Sequence, residues 1–387
     1  MNIALLVDTY TPQINGVVTV VKQLKEDLES LGCTCYVITP RRENSFDIDG
    51  VHFVKARKSL VAPNEYIATA NYKEIVQFCI EHEIDILNAH SEFRMAKLAR
   101  KAAKKLNKPF TMTFHTFWEH YIKAYIPLSF LLPKCLLANL YTMYMYKDAD
   151  VVYAVSQKVK EYLTKLLPDK KIVLIENSID NSDFTNIEKK PEVEKQIREK
   201  YKINANDFVM IYVGRVSHEK RLKQLLKIFD STQKQSTTSL KLIIVGDGPA
   251  KNDLIKLSKQ LGLNERVSFT GFIDREKLPD FFQIADVFVS ASLSETYSMT
   301  VTESLSSSVP VVLREDACYF DRITHGENGL MAKSDNEFAD ALLDLITKPE
   351  KLKMLKENCM PKENGLTSIA QAKKYLASFE EILKKRS

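Results

Sequence analysis

Short apolar runs alternate with amphipathic stretches along the first half of the chain. The run IALLVD (3–8) leads through a polar loop into GVVTVVKQLKEDLESLG (16–32), whose apolar residues recur at helical spacing. Five further apolar runs predict strands, at 35–40, 84–90, 110–115, 150–156 and 171–178. Strands that alternate with helices on this scale predict a parallel, doubly wound α/β sheet.

The same alternation begins again after a charged stretch at 182–206. Strands are predicted in this second half at 207–215, 240–249, 286–292 and 309–314. We therefore predict two α/β domains and a C-terminal helix that packs back toward the first domain, with boundaries at 1–180, 181–365 and 366–387. Ligands of such sheets bind at the carboxyl ends of the strands, so we expect a site in the cleft between the domains.

Composition narrows the class of protein. The contents of 45% hydrophobic and 27% charged residues are typical of globular proteins. The N-terminus is predicted to be a buried strand and not a signal peptide, and lysines and prolines interrupt the apolar region 122–146, so we expect no membrane-spanning segment. The six scattered cysteines are expected to be reduced, in a cytoplasmic protein.

One segment, KLARKAAKKLNK (97–108), contains six basic residues and no acidic one. In a helix they would form a stripe opposite Leu98, Ala102 and Leu106, made of Lys97, Arg100, Lys101, Lys104, Lys105 and Lys108. The stripe indicates either a solvated helix face or a surface that binds an anionic membrane. Nucleic acid binding is not expected, because no aromatic residues are interleaved with the basic ones.

Candidate ligand-binding residues follow several predicted strands. Gly16 begins a predicted helix, where a bare amide can approach a phosphate. Arg215 and Lys220 follow the strand at 207–215, and two cations suit a diphosphate. His115 ends a predicted strand, where it can donate to a sugar hydroxyl or stabilise charge. Each also has an ordinary explanation, as a turn glycine, exposed cations or a structural histidine.

Two glutamates flank the predicted start of a helix in SETYSMTVTESLSSSVPVV (294–312). If the helix begins near Ser298, Glu295 lies in the preceding loop and Glu303 lies more than one turn inside the helix. Carboxylates are seldom buried without a partner, so both are candidates to accept hydrogen bonds from sugar and ribose hydroxyls. The alternative is a glutamate at the helix N-terminus and a second one exposed on its surface.

Together these residues resemble the retaining glycosyltransferases of family 4, and the resemblance covers nearly the whole chain. It is carried by Gly16, His115, GRVSHEK (214–220), GDGP (246–249), GF (271–272) and the glutamate pair. The resemblance implies the GT-B fold, with two Rossmann-like doubly wound domains facing a central cleft. It also implies a nucleotide-sugar donor that is held mostly by the second domain.

The same resemblance implies roles for single residues. Arg215, Lys220 and the Gly16 amide would neutralise the diphosphate, while Glu303 would bind the ribose. His115 and Glu295 would be the catalytic residues that contact the donor sugar. Further donor-binding residues would be Gly246, Phe272, Ile273, Ser298 and Met299. No metal or other cofactor is implied, because cations and helix amides offset the charge of the leaving group.

A narrower resemblance concerns the acceptor. Residues 88–127 are similar to bacterial 1,2-diacylglycerol 3-glucosyltransferases, through His90, Glu92, Phe93, His115, Thr116, Trp118, Glu119 and Tyr121. This implies transfer of glucose from UDP-glucose to the 3-hydroxyl of diacylglycerol, by an enzyme bound peripherally to the inner face of the cell membrane. Trp118, Glu119 and Tyr121 would join the basic residues of 97–108 in contacting acceptor or membrane.

Two alternatives remain open. The same donor chemistry could serve a soluble, wall-polymer or protein acceptor, or the chain could be a non-catalytic protein that binds nucleotide sugars or membranes. The sequence also departs from the family at Ser178, Ser298 and Ser308, where the family usually has glycine. If the backbone there requires a positive φ, each serine would cost on the order of 1 kcal/mol.

Overall fold

A computed structural model describes residues 1–13, 15–59, 65–120, 133–185, 190–359 and 367–386. The chain divides into two compact units, the first made of Met1–Asp180 with Gly365–Ser387 and the second of Asn181–Asn364.

The first unit is built on a parallel sheet of seven strands in the order β3-β2-β1-β6-β7-β8-β9, and β4 and β5 form an antiparallel pair. Its strands are β1 (Asn2–Leu6), β2 (Thr34–Pro40), β3 (Val51–Val54), β4 (Ala56–Lys58), β5 (Tyr66–Ala68), β6 (Ile86–Ala89), β7 (Phe110–Phe114), β8 (Val151–Ala154) and β9 (Lys171–Leu174). Its helices before residue 180 are α1 (Gly16–Ser30), α2 (Tyr72–Glu81), α3 (Arg94–Leu106), α4 (Lys134–Tyr146) and α5 (Gln157–Leu166).

The second unit contains a parallel sheet of six strands in the order β12-β11-β10-β13-β14-β15. Its strands are β10 (Phe208–Val213), β11 (Leu240–Val245), β12 (Val267–Gly271), β13 (Val287–Ser290), β14 (Val311–Arg314) and β15 (Gly329–Ala332). Its helices are α6 (Ser182–Thr185), α7 (Pro191–Lys200), α8 (Leu222–Gln235), α9 (Lys251–Gln260), α10 (Leu278–Gln283), α11 (Met299–Ser306), α12 (Asp335–Thr347) and α13 (Pro349–Glu357).

The central strands consist mostly of buried apolar residues, as expected for parallel sheets that are covered on both faces. All residues of β10 and β11 are buried, and they contribute alternately to a hydrophobic core on either side of the sheet. Several helices begin where a polar side chain accepts hydrogen bonds from the first amides. Asn15, for example, accepts hydrogen bonds from the backbone amides of Val17 and Val18 at the start of α1.

The last helix, α14 (Ser368–Lys384), belongs to the first unit. Its buried Tyr375 and Phe379 join the core formed by β1, β2 and α1. The Tyr375 hydroxyl lies 3.1 Å from Thr113 Oγ1 on β7, and Tyr153 on β8 donates to Ser378 at 2.9 Å. Neither α14 nor any other helix among the described residues is both long and apolar enough to cross a bilayer.

Two of the three serines that replace an expected glycine have left-handed backbone conformations. Ser298, which precedes α11, has φ 66°, and Ser308, which follows it, has φ 57°. Ser178 does not have a positive φ. The strain anticipated from the sequence therefore applies to Ser298 and Ser308, where an L-residue costs about 1–2 kcal/mol relative to a relaxed conformation.

We expect Ser308→Gly to stabilise the second unit by about 1 kcal/mol, because glycine adopts a positive φ without steric cost. This corresponds to a rise in Tm of about 2–4 °C for a unit of this size, measured by thermal unfolding. Ser307→Gly is the matched control, since Ser307 has φ −84° and donates to the Glu303 carbonyl at 2.9 Å. It should lower the Tm, and a fall in Tm for both variants would contradict this account of the strain.

Candidate functional site

An ion pair joins two loops at the carboxyl end of the second sheet. Lys220 ends a short 3₁₀ turn that follows β10, and Glu295 lies in the loop between β13 and α11. Since β10 and β13 are hydrogen-bonded neighbours, their loops emerge side by side. Lys220 Nζ lies 2.7 Å from Glu295 Oε1, and the two side chains are 18% and 15% exposed. The structure thus brings these two predicted site residues into direct contact.

The loops that follow β10 and β11 pack backbone against backbone. A Cβ atom on Gly246 would lie 1.9 Å from the Gly214 carbonyl oxygen, and one on Gly248 would lie 2.4 Å from the Val216 carbonyl oxygen. Only glycine fits at these two positions. Arg215 is exposed in the first of these loops, five residues before Lys220.

Glu303 is held by an arginine that the sequence analysis did not single out. Its side chain is buried in α11, and Arg275 Nε donates to Glu303 Oε1 at 3.0 Å. Arg275 also donates to Asn181 Oδ1 at 3.1 Å, and its guanidinium carbon lies 4.7 Å from the centre of the Phe184 ring. Burial raises the pKa of Glu303, and the charge of Arg275 opposes that shift.

The other predicted donor residues lie at the ends of β12 and β13. Phe272 follows β12 and is 54% exposed, while Ile273 packs against the core. Ser298 precedes α11 without a side-chain cap, and the partly exposed Met299 is the first residue of that helix. The helix starts where the sequence predicted it, with Glu295 before it and Glu303 inside it. The contacts of these residues with a donor remain predictions.

In the first unit, His115 follows β7 and pairs with His90, which follows β6. A hydrogen bond of 3.1 Å joins His90 Nδ1 and His115 Nε2, and both side chains are buried. Burial lowers the pKa of His115 to about 4 and that of His90 well below its ordinary value. Both imidazoles are therefore neutral at pH 7, which favours the hydrogen-bonding role predicted for His115 over the stabilisation of charge.

Two buried carboxyl groups lie at the same end of the first sheet. Asp8, just after β1, accepts from Ser91 Oγ at 2.6 Å and from the Met95 amide at 3.1 Å, which caps α3. Glu92 accepts from the Tyr146 hydroxyl at 2.6 Å. Burial raises the pKa of Asp8 to about 6 and that of Glu92 to about 8. No group of three or more His, Cys, Asp or Glu in the described ranges is arranged to hold a metal ion.

The remaining residues predicted for the first domain have different environments. Gly16 is the exposed first residue of α1. Trp118 is 3% exposed and packs edge-on against Phe93 and Tyr141, so in this structure its ring is part of a small core. Glu119 is exposed, and Tyr121 lies outside the described residues.

Five of the six residues of the basic stripe lie on α3, as their spacing predicted, and Lys108 follows the end of the helix. Leu98 and Ala102 are buried on the opposite face. The three exposed members of the stripe are Lys101, Lys104 and Lys105, and the three partly exposed members are Lys97, Arg100 and Lys108. The membrane role of this helix remains a prediction.

The pairings within these clusters could not be read from the sequence. Arg275 lies 28 positions before Glu303, and no short-range pattern connects the two. His90 and His115 are 25 positions apart, and only the fact that both follow neighbouring parallel strands could have paired them. Asp8 was visible as a carboxylate at the end of the first strand, but its cap of α3 depends on the tertiary fold.

Comparisons with known proteins agree with this architecture. The family model "Glycosyltransferase Family 4" matches residues 14–183, and "Glycosyl transferases group 1" matches residues 193–360. Alpha-monoglucosyldiacylglycerol synthase of Acholeplasma laidlawii is 30% identical over 368 residues, which cover 92% of this chain and 91% of that protein. The enzyme of the same name from Streptococcus pneumoniae is 28% identical, over 90% of this chain and 79% of that protein.

Among solved structures, Anabaena HepE in complex with UDP and glucose superposes with a TM-score of 0.77 at 17% identity. The match covers 98% of this chain and 100% of that one, and at this identity it shows the fold alone. Two parallel-sheet units, two family models and a relative that matches over nearly its full length all agree. The chain belongs to the family 4, group 1 glycosyltransferases of GT-B fold and is a hexosyltransferase.

Proposed function

We propose that this enzyme transfers glucose from UDP-glucose to the 3-hydroxyl of 1,2-diacylglycerol, with retention of the anomeric configuration. The observation that carries the proposal is the similarity to two proteins named alpha-monoglucosyldiacylglycerol synthase, which extends over about nine-tenths of this chain. That name describes an α-linked glucose on diacylglycerol, which is the product expected when an α-linked sugar nucleotide reacts with retention.

The second unit would bind the donor. A nucleotide diphosphate carries negative charge, and the loop after β10 carries Arg215 and Lys220, of which Lys220 contacts Glu295, four residues before α11. Helix amides and cations at that place would stabilise the charge that develops on the departing phosphate. Glu295, already in contact with Lys220, would accept hydrogen bonds from the donor sugar. Glu295 would thus have two kinds of partner, the cation of Lys220 and the hydroxyls of the bound sugar.

The reaction is proposed to proceed on one face of the sugar. The bond between the anomeric carbon and the phosphate oxygen breaks, and the acceptor hydroxyl oxygen bonds to that carbon from the same side. The acceptor proton passes to the departing phosphate oxygen, so no protein carboxylate needs to form a covalent intermediate. Neutral His115 would orient the sugar through a hydrogen bond, as its depressed pKa of about 4 allows.

A lipid acceptor requires binding to the membrane surface, and the first unit has a surface suited to it. Leu136, Leu140, Met143 and Tyr144 form an apolar stripe on one side of α4, and each is 42–51% exposed. The Tyr144 ring lies within 5.7 Å of the cationic groups of Lys97, Arg100 and Lys147. Apolar side chains bordered by cations are the combination that anionic bilayers bind.

The decisive test offers the protein a panel of nucleotide sugars with diacylglycerol in anionic vesicles. We expect glucosyldiacylglycerol from UDP-glucose, with an α-anomeric proton coupling in the product by NMR. Parallel reactions contain soluble and wall-polymer acceptors, and a further one contains donor alone to detect hydrolysis. The proposal is wrong if no donor yields a glycolipid, and donor binding without any turnover would favour a non-catalytic role.

Lys220→Met should reduce kcat/KM for the donor by about 100-fold, because a desolvated cation near the diphosphate stabilises the transition state by several kcal/mol. Steady-state kinetics with varied donor measure the effect. The matched control is Lys223→Met, which removes an exposed lysine of α8 that pairs with Asp253. Activity within threefold of the unsubstituted enzyme for Lys220→Met would remove that residue from the donor site.

Replacing Lys101, Lys104 and Lys105 together by glutamine should weaken binding to anionic vesicles by about 100-fold, since each basic residue near the surface contributes about 1 kcal/mol. The difference should shrink as salt is added, because screening weakens the attraction in the unsubstituted protein. Vesicle sedimentation measures the affinity. Replacement of three exposed lysines of the second unit, Lys227, Lys256 and Lys259, is the control for net charge. Equal losses in both triple variants would argue against a membrane role specific to α3.

A further inference from the structure

Arg322 is bound to the backbone on both sides of Ser298. Its Nη1 donates to the Ser298 carbonyl at 3.1 Å and to Thr302 Oγ1 at 2.7 Å. Its Nη2 donates to the carbonyls of Tyr297 and Cys318, the latter at 3.1 Å. The guanidinium carbon also lies 3.8 Å from the centre of the buried Tyr297 ring. One planar group therefore connects the loop before α11, the first turn of α11 and the turn that follows β14.

These contacts fix the two peptide groups that define the conformation of Ser298. The Tyr297 carbonyl belongs to the peptide plane before the Ser298 Cα, and the Ser298 carbonyl belongs to the plane after it. Ser298 has φ 66° and ψ 86°, a left-handed conformation that an L-residue adopts only when its surroundings impose it. Rotation of either plane would break a hydrogen bond to the rigid guanidinium fork.

The loop held in this way carries Glu295, three residues before Ser298, and it leads into the first amides of α11. Every acceptor of Arg322 within the described part of the chain is a neutral carbonyl or hydroxyl oxygen. The positive charge of Arg322 therefore adds to the positive end of the α11 dipole. Strain at a site of this kind is typical of a position that function constrains.

We propose that Arg322 is a positioning residue of the transferase site. It holds Ser298 in the left-handed turn, and this turn places Glu295 against Lys220 and orients the first amides of α11. Arg322 thereby compensates for the absence of the glycine expected at 298. Serine needs an external clamp, here the hydrogen bonds of Arg322, to hold a conformation that glycine adopts freely. The inference rests on the proposed function in one respect, that the donor meets the start of α11.

A double-mutant cycle tests the clamp with Arg322→Met, Ser298→Gly and the combined variant. With serine at 298, Arg322→Met should lower kcat/KM for the donor at least about tenfold, mainly by raising the donor KM. In the Ser298→Gly background the same substitution should cost about fivefold less. Hydrogen exchange of the peptide covering 294–305, followed by mass spectrometry, should accelerate with Arg322→Met when residue 298 is serine and much less when it is glycine.

Two further variants separate geometry from charge and from general destabilisation. Arg322→Lys keeps the charge and loses the fork, so it should resemble Arg322→Met in both measurements. Arg266→Met is the control, because Arg266 is also half-buried and donates to neutral acceptors, Gln233 and Ser239, away from this loop. It should cost the same in both backgrounds.

Equal losses for Arg322→Met in the two backgrounds, or full activity and unchanged exchange for Arg322→Lys, would overturn the proposal. If an Arg322 variant fails to fold with serine at 298 but folds with glycine there, this rescue would demonstrate the same coupling through stability. Failure to fold in both backgrounds would count against the clamp. The exchange measurement needs no turnover. An absence of transferase activity with exchange coupling intact would therefore defeat the proposed function and leave the clamp standing.

Discussion

A charged group that loses contact with water needs an opposite charge or hydrogen-bond partners, and this constraint organises the end of the second unit's sheet. Lys220 and Glu295 are each less than one-fifth exposed, so either charge alone would carry a large desolvation penalty. Their pairing holds together loops that follow two neighbouring strands. Glu303 is more deeply buried and has Arg275 as its partner, which ties α11 to the segment after β12. Two carboxylates, one just before α11 and one within it, thus connect this helix to the segments that follow two different strands.

A backbone position can require glycine for two different reasons, and this chain, which has few glycines, shows them separately. At Gly246 a side chain is impossible, since its Cβ would overlap the carbonyl oxygen of Gly214, and no local adjustment short of moving the loop removes that clash. At 298 and 308 the demand is only for a positive φ, which serine meets at a cost of about 1–2 kcal/mol. The chain thus has glycine where a Cβ atom cannot fit, and serine where only a positive φ is required. At 298 an offset to this cost is visible in the hydrogen bonds from Arg322.

The sequence predicts some elements of this structure and misses others for physical reasons. The strand β10 was predictable because its six consecutive buried residues are all apolar, and β11 was predictable because five of its six buried residues are apolar. The strands β3, β12 and β15 went unpredicted because each has only four or five residues and includes a polar residue or a glycine. Most residues of β3 and β12 are also only partly buried. The start of α11 was predictable from its local pattern. The partners of Glu295 and Glu303 were harder to predict, since the contacts of Lys220 and Arg275 depend on which strands are neighbours. No sequence pattern identified Arg322.

Buried ionisable groups have different kinds of partner at the two sheet ends. In the first unit the pKa of Asp8 and Glu92 is raised and that of His90 and His115 is lowered by desolvation, so all four shifts favour the neutral forms. Hydrogen bonds replace ion pairs there, as between His90 and His115 and between Tyr146 and Glu92. In the second unit burial also raises the pKa of Glu303, but the charge of Arg275 opposes that shift, and Glu295 is paired with Lys220. Under the proposed function this division has a chemical reason, because a sugar diphosphate needs fixed cations, whereas uncharged sugar and lipid hydroxyls are better oriented by neutral donors and acceptors.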